Sequence, residues 1–158
     1  MSVLSWGKPT IKTTTSTDGT PGTTWTEIDT PKEDTTELTV TAGDETSATE
    51  EGGAIVDVRY KESSYELTFT LFVKKGSTAP WTDTNGIIDG EHAIRILPPD
   101  QDCFGIQIDR CTIRCELSYS AADGMLRKYT CKGLKPATGN ILKIVKGDTV
   151  VASASLSD

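Results

Sequence analysis

Few side chains in this sequence could carry out chemistry, and their spacing matches no catalytic motif. His92 is the only histidine, and no serine or cysteine stands in a motif that would pair it with a nucleophile. The chain has no Gly-x-x-x-x-Gly-Lys-Ser/Thr loop to cradle a phosphate. Neighbouring acids lie in segments typical of solvated loops: Asp44-Glu45, Glu50-Glu51, and Asp100 with Asp102. We therefore expect no enzymatic activity, no metal site and no cofactor.

The four cysteines, Cys103, Cys111, Cys115 and Cys131, are predicted to be small buried thiols. Their spacing, Cys-x7-Cys-x3-Cys-x15-Cys, matches no zinc motif. Cys111 and Cys115 have strand spacing, which separates their Cα atoms by about 13 Å and puts them beyond disulfide range. The alternative is that other combinations of these cysteines form a disulfide or bind a metal.

The elements that would hold these side chains are identified by alternating apolar and polar residues. From Tyr65 to Val73 the alternation is broken only by Phe72, which is typical of a strand with one buried face. Residues 54–61 alternate as well, and residues 62–64 have the composition of a turn. We therefore predict an antiparallel hairpin of strands 54–61 and 64–74. Its buried side chains would be Val56, Val58, Tyr60, Leu67, Phe69 and Leu71.

Similar patterns predict strands along most of the remaining chain. Ala122-Asp123-Gly124 has the composition of a hairpin turn between two of them. Residues 84–97 fit either a strand or a helix, so at most one short helix is expected. The other strands are predicted at 24–28, 37–41, 106–108, 111–119, 127–134, 141–145 and 149–154.

Two segments have too few apolar residues for a core strand. Residues 1–23 predict an extended arm, with a short strand near Thr10 to Lys12 at most. Residues 42–53 predict a flexible acidic loop. The whole chain, residues 1–158, is thus predicted to be one all-β domain, either a β-sandwich or a barrel.

Charge and hydropathy restrict the partners. The formal charge is −7, and residues 1–57 hold eleven acidic and three basic residues. Such a chain does not bind nucleic acid by neutralising phosphates. No apolar run of 18 residues predicts a membrane span, and the N-terminus has no secretory signal pattern, so we expect the protein in the cytoplasm after synthesis.

Several segments together resemble one known family. They are Glu51-Gly52-Gly53-Ala54-Ile55-Val56-Asp57, Arg95-Ile96-Leu97-Pro98-Pro99-Asp100, Gly105-Ile106-Gln107-Ile108, Ser120-Ala121-Ala122-Asp123-Gly124 and Gly133-Leu134-Lys135-Pro136-Ala137-Thr138-Gly139. These segments are similar to the central region of phage major tail tube proteins of the type carried by Bacteroides phages and prophages. The resemblance spans about residues 50–140 and consists of turn and strand motifs.

The resemblance implies a β-sandwich or barrel-like subunit with one flanking helix. Such subunits form hexameric rings that stack into a hollow tube in the virion, after assembly in the cytoplasm of the bacterial host. The implied partners are further copies of the chain, the tape-measure protein and other tail proteins. DNA passes through the lumen without specific binding, and no membrane is involved.

Candidate functional residues follow from this reading. The polar face of the strands is predicted to line the lumen through Glu66, Thr68, Thr70, Arg114 and Glu116, as an acidic wall past which DNA slides. Subunit contacts are predicted at Trp6, Glu50, Glu51, Ile55 and Phe72. Two alternatives stay open: a non-polymerising tail adaptor or terminator, and a secreted or surface β-sandwich that binds carbohydrate or protein. In the latter, Trp6, Trp25 and Trp81 would stack on sugars.

Overall fold

The structure is a computed structural model that describes residues 3–152, and this part of the chain is all-β without a helix. The all-β prediction is therefore confirmed. The flanking helix implied by the resemblance does not occur here, because residues 87–97 form a strand instead. The thirteen strands are β1 (Thr10–Thr17), β2 (Thr20–Pro21), β3 (Thr26–Glu27), β4 (Glu37–Thr41), β5 (Glu45–Thr49), β6 (Ile55–Tyr60), β7 (Ser64–Phe72), β8 (Asp83–Thr84), β9 (Ile87–Leu97), β10 (Phe104–Ser120), β11 (Gly124–Gly133), β12 (Leu142–Lys146) and β13 (Thr149–Ala152).

Most strands belong to one curled antiparallel sheet that forms a half-barrel. Its main path runs β2-β1-β9-β10-β11-β7-β4. β3 pairs with β1, β8 with β9, and the β12–β13 hairpin joins through β10. Within residues 3–152, no helix is long and apolar enough to cross a membrane.

The hydrophobic core lies on the concave face of this sheet. Leu67, Phe69 and Leu71 are buried there, as predicted from the alternation in β7. The ring of Phe69 packs against Trp81 and Tyr129, with centroid distances of 6.3 Å and 5.6 Å. The rest of the core cluster is Ile11, Ile28, Ile88, Ile94, Ile108, Cys111, Ile113, Cys115 and Cys131.

β10 is the longest strand, with 17 residues, and it changes partner along its length. Its first part pairs with β12, and its second part pairs with β11. A register shift against β9 between Ile108 and Cys111 places both of these side chains in the core. This irregularity has the effect expected of a β-bulge, because an extra residue re-aims the side chains that follow.

The predicted pairing of strands 54–61 and 64–74 is wrong. β6 pairs with β5, whereas β7 pairs with β4 and β11. Val56 and Tyr60 are consequently exposed, and Val58 is half-buried instead of lying in the core. The error has a physical cause: period-two alternation identifies the faces of a strand but carries no information about its neighbour.

The predictions for the two apolar-poor segments are also corrected. Thr10–Thr17 is a full strand inside the sheet, and its Ile11 side chain is buried. The predicted loop 42–53 contains β5, which pairs with β6 through an all-polar or small sequence, Glu-Thr-Ser-Ala-Thr. Threonine favours strands, so a threonine-rich segment can pair without contributing much to a core.

Candidate assembly surfaces

The five residues predicted to line a lumen lie together on one face of the sheet. β11 sits between β10 and β7, and each of its outward-facing residues pairs with one residue on either side. Directly opposed residues share a face of the sheet. These residues alternate with the buried core residues of the same strands, so their face is the convex one, opposite the core. The three rows are Thr112, Lys132 and Glu66; Arg114, Thr130 and Thr68; and Glu116, Lys128 and Thr70.

This convex face is not the acidic wall that the sequence suggested. Lys128 is paired with the residue opposite it on β10, Glu116, and Lys132 is paired with Glu66 on β7. Cross-strand pairs of opposite charge each contribute roughly 0.2–1 kcal/mol to sheet stability. The acidic charges of Glu66 and Glu116 are thus offset locally, and with Arg114 the face holds three basic and two acidic side chains.

The five residues predicted at subunit contacts lie in three separate places. Glu50, Glu51 and Ile55 belong to the β5–β6 hairpin, and Ile55 is 64% exposed. Phe72 ends β7, and Trp6 lies exposed in the segment before β1. All five side chains are solvent-accessible in the single subunit, but the structure brings only the first three together.

The β5–β6 hairpin is a separate two-stranded sheet that projects from the main 11-stranded sheet, which we call the body. We define this projecting hairpin as residues 44–61. Its base continues the β4–β7 ladder, because the Lys61 N–H donates to the Asp44 carbonyl at 2.9 Å. Its turn is closed by the Glu50 N–H, which donates to the Ala54 carbonyl at 2.8 Å. Every residue of β5 is exposed, and so is every residue of β6 except half-buried Val58.

A second uncovered apolar surface lies at the end of the β10–β11 hairpin and was missed from the sequence. Leu117, Tyr119 and Met125 form this tip patch; Leu117 is 58% exposed and Tyr119 is 76% exposed. These residues continue the alternation of Cys111, Ile113 and Cys115, so the pattern alone assigns them to the core. They are exposed because β10 extends beyond the start of β9, whose first residue, Ile87, pairs with Arg114, so this end of β10 has β11 on one side and no strand on the other.

Charged and polar side chains are buried in a network beside the core, and sequence reasoning did not find it. The Arg95 Nε donates to the Gln107 Oε1 at 2.8 Å, and the Gln107 Nε2 donates to the Asp109 Oδ1 at 2.6 Å. The Lys143 Nζ donates to the other oxygen of Asp109. The Arg95 Nη1 donates to the Asp148 Oδ1 at 3.0 Å. Buried charges are tolerated only when paired in this way.

This network attaches the β12–β13 hairpin to the sheet. Lys143 lies on β12 and Asp148 in the turn that follows, while their partners Asp109 and Arg95 lie on β10 and β9. The Lys12 Nζ also reaches the Asp148 Oδ1, at 3.4 Å, and the ring of Trp25 covers the Arg95 guanidinium at 4.2 Å. The arrangement is structural, since every charge in it already has a protein partner.

The tryptophans and the histidine are largely engaged in packing. Trp25 covers Arg95, as above, and Trp81 packs edge-on against Tyr129 at 5.1 Å. His92 packs against Trp81 at 5.8 Å, and its Nε2 lies 3.1 Å from the Asp89 carbonyl. Of the three tryptophans, Trp6 alone presents an open ring to solvent. The structure therefore does not assemble an aromatic platform from the three.

The four cysteines are buried, as predicted, and no disulfide joins them. The Cys111 Sγ lies 3.1 Å from the His92 carbonyl. Burial raises the pKa of the Cys115 and Cys131 thiols, and it raises the pKa of Tyr129 to about 12. Burial that disfavours the thiolate makes these side chains poor nucleophiles. No group of three or more potential metal ligands occurs in the part of the chain that the structure describes.

No protein-family model matches the chain, and no curated protein matches it. The resemblance to tail tube proteins therefore stays a prediction, and the surfaces described above are the features of this protein that bear on its function.

Proposed function

We propose that this protein is a structural virion subunit that self-assembles into hexameric rings, which stack into a phage tail tube. Assembly would take place in the cytoplasm of the bacterial host. The observation that best supports the proposal is the projecting hairpin, whose apolar side chains, apart from half-buried Val58, are exposed in the described part of the subunit. Ile55 and Tyr60 are 64% and 74% exposed, and Val56 lies beside them.

A lone two-stranded hairpin is at best marginally stable in water, so an element of this kind gains most from a partner. Full burial of a Val, Ile or aromatic side chain contributes roughly 1.5–3 kcal/mol. Covering these three largely exposed side chains would thus contribute about 3–6 kcal/mol. On its own this corresponds to weak, roughly millimolar association. Six such contacts between two rings act together, so a stack is far more stable than a pair of subunits.

The convex face of β7, β10 and β11 is suited to line the tube. Lys128 and Lys132 lie opposite Glu116 and Glu66, and threonines surround Arg114, so these basic side chains would hold passing phosphates only weakly. DNA and the tape-measure protein would pass without specific binding, and other tail proteins would join at the tube ends. No chemical step is required of the subunit.

Electron microscopy of the concentrated protein at low and high salt tests the proposal. Each copy carries a formal charge of −7, so salt that screens this repulsion should favour rings and tubes. The matched control replaces residues 45–60 by an Asn-Gly turn between Asp44 and Lys61, whose backbones are already hydrogen-bonded. This control should keep the circular dichroism spectrum of the body and remain monomeric.

Each alternative outcome has its own meaning. Rings that never lengthen would indicate a tail adaptor or terminator. A strict monomer in every condition that also binds a polysaccharide would replace the proposal with the carbohydrate-binding module.

A further inference from the structure

Two uncovered apolar surfaces lie at opposite ends of the same strand, β7. The projecting hairpin leaves the body at the Ser64 end, where Thr41 pairs with Ser64. The tip patch lies at the Phe72 end, where Leu126 pairs with Phe72. A strand of nine residues separates the two ends by about 30 Å.

One subunit cannot bring these two surfaces together. The hairpin strands have five and six residues, so the hairpin reaches only about 20 Å from its base. Its base lies at the far end of β7, and it extends that ladder outward. The tip patch of the same copy therefore cannot cover the hairpin.

The charges around the two surfaces are complementary. Residues 44–61 hold five acidic and two basic side chains. Beside the patch, residues 72–77 hold two basic side chains, Lys74 and Lys75, and no acidic one. They adjoin the patch because the Val73 N–H donates to the Met125 carbonyl at 3.1 Å. Arg127 is the cross-strand partner of Leu117, so it lies on the same face as the patch.

From these observations we propose that the projecting hairpin of one copy docks on the tip patch of the next copy, formed by Leu117, Tyr119 and Met125. The partner is a second molecule of the same chain, and the contact is head-to-tail. Such a contact uses two different surfaces and repeats from copy to copy, so it can propagate along an assembly. The inference rests on the proposed function and names the two surfaces that would join its subunits.

Two variants and their mixture test the head-to-tail contact. The hairpin variant is Ile55→Ser with Tyr60→Ser, and the patch variant is Leu117→Ser with Tyr119→Ser. All four side chains are more than half exposed, so circular dichroism and thermal unfolding should change little. A matched control, Val150→Ser with Val151→Ser, removes exposed apolar side chains of β13 outside both surfaces.

Each variant alone should remain monomeric, because every contact needs one intact hairpin and one intact patch. An equimolar mixture should give a one-to-one dimer and nothing larger, twice the 17.0 kDa monomer, since the patch variant supplies the hairpin and the hairpin variant supplies the patch. Sedimentation velocity up to about 1 mM detects such a contact even when it is weak. The β13 control should assemble as the wild type does.

Charge reversal gives a second readout at constant salt. Lys74→Glu with Lys75→Glu should weaken assembly at least about tenfold, a change of about 1.4 kcal/mol, and adding Glu50→Lys with Glu51→Lys should restore it.

Wild-type tubes that persist in either apolar variant would overturn the head-to-tail contact and leave the proposed function standing. A mixture that gives no dimer while the wild type assembles would also overturn the head-to-tail contact and leave the proposed function standing. A wild type that stays monomeric at every concentration would overturn the head-to-tail contact, and polysaccharide binding by that monomer would overturn the proposed function as well.

Discussion

The buried pair of Lys143 and Asp109 yields a sharp stability prediction. The side chain of Asp109 is 4% exposed and that of Lys143 13%, so neither can be rehydrated without opening the sheet. Asp109→Asn removes the carboxylate charge and leaves the ammonium of Lys143 buried against a neutral amide. Breaking one side of a buried ion pair costs about 3–5 kcal/mol. We expect that loss of unfolding free energy for Asp109→Asn, and a loss in the same range for Lys143→Met.

The double variant, Asp109→Asn with Lys143→Met, should lose less than about 2 kcal/mol, because it leaves no unpaired charge in the interior. The sum of the two single losses exceeds the double loss, so the coupling energy between the two positions is at least about 4 kcal/mol. Urea titrations monitored by circular dichroism measure it, since urea leaves ionic strength unchanged. With an m-value of about 2 kcal/mol per molar, each single variant should lower the midpoint by about 1.5–2.5 M.

Lys12→Met is the matched control, since Lys12 belongs to the same network but contacts Asp148, whose side chain is 71% exposed. An exposed pair contributes less than about 1 kcal/mol and is screened by salt. The effect of Lys12→Met should thus be small and vanish in 1 M NaCl, whereas that of Asp109→Asn should persist. Single-variant losses that add to within about 0.5 kcal/mol in the double variant would refute the buried-pair reasoning.

Three further predictions concern the core. Phe69→Ala should cost about 3–5 kcal/mol, because this fully buried ring contacts two other aromatics; a loss below about 1 kcal/mol in urea would contradict its place in the core. The pKa of Tyr129 is raised to about 12 in the folded protein, against about 10 in the unfolded chain. The free energy of unfolding is therefore unaffected by this group below pH 10 and falls by up to about 1.4 kcal/mol per pH unit between pH 10 and 12. Tyr129→Phe should remove this part of the pH dependence. The raised pKa of the Cys131 thiol predicts that alkylation at pH 8 reaches this residue only after denaturation, when mass spectrometry should count four free thiols; rapid labelling of native Cys131 would contradict its burial.

Sequence reasoning succeeded where one face of a strand enters the core. The alternation of Leu67, Phe69 and Leu71 predicted the buried face of β7, and the turn at Asp123-Gly124 predicted the pairing of β10 with β11. In both cases the signal is local, because a side chain's neighbours in sequence determine its face. The same reasoning found the convex polar face, although it missed the lysines of β11 that offset its acidic charges.

Sequence reasoning failed where the burial of a side chain depends on segments distant in the sequence. Gln107 and Asp109 alternate with Ile106 and Ile108 on β10, and a polar residue in that position normally faces solvent. They are buried because β12 and its turn, more than thirty residues later, bring Lys143 and Asp148 to that side. Likewise, the exposure of Tyr119 depends on where the neighbouring β9 begins, and local alternation contains no information on that position.

The pairing of β1 with β9 has a consequence for synthesis. Thr10–Thr17 pairs with residues 92–97, so about 80 residues must be translated before the first strand meets β9, and until then β2 and β3 offer it only two residues each. At 5–20 residues per second, that interval lasts roughly 4–16 seconds. An unpaired strand with an apolar face would be an aggregation hazard for so long. β1 contains five threonines, one serine and one lysine, with Ile11 as its single large apolar residue. The threonine-rich composition for which the sequence predicted an extended arm thus helps to keep the nascent chain soluble until β9 has been translated.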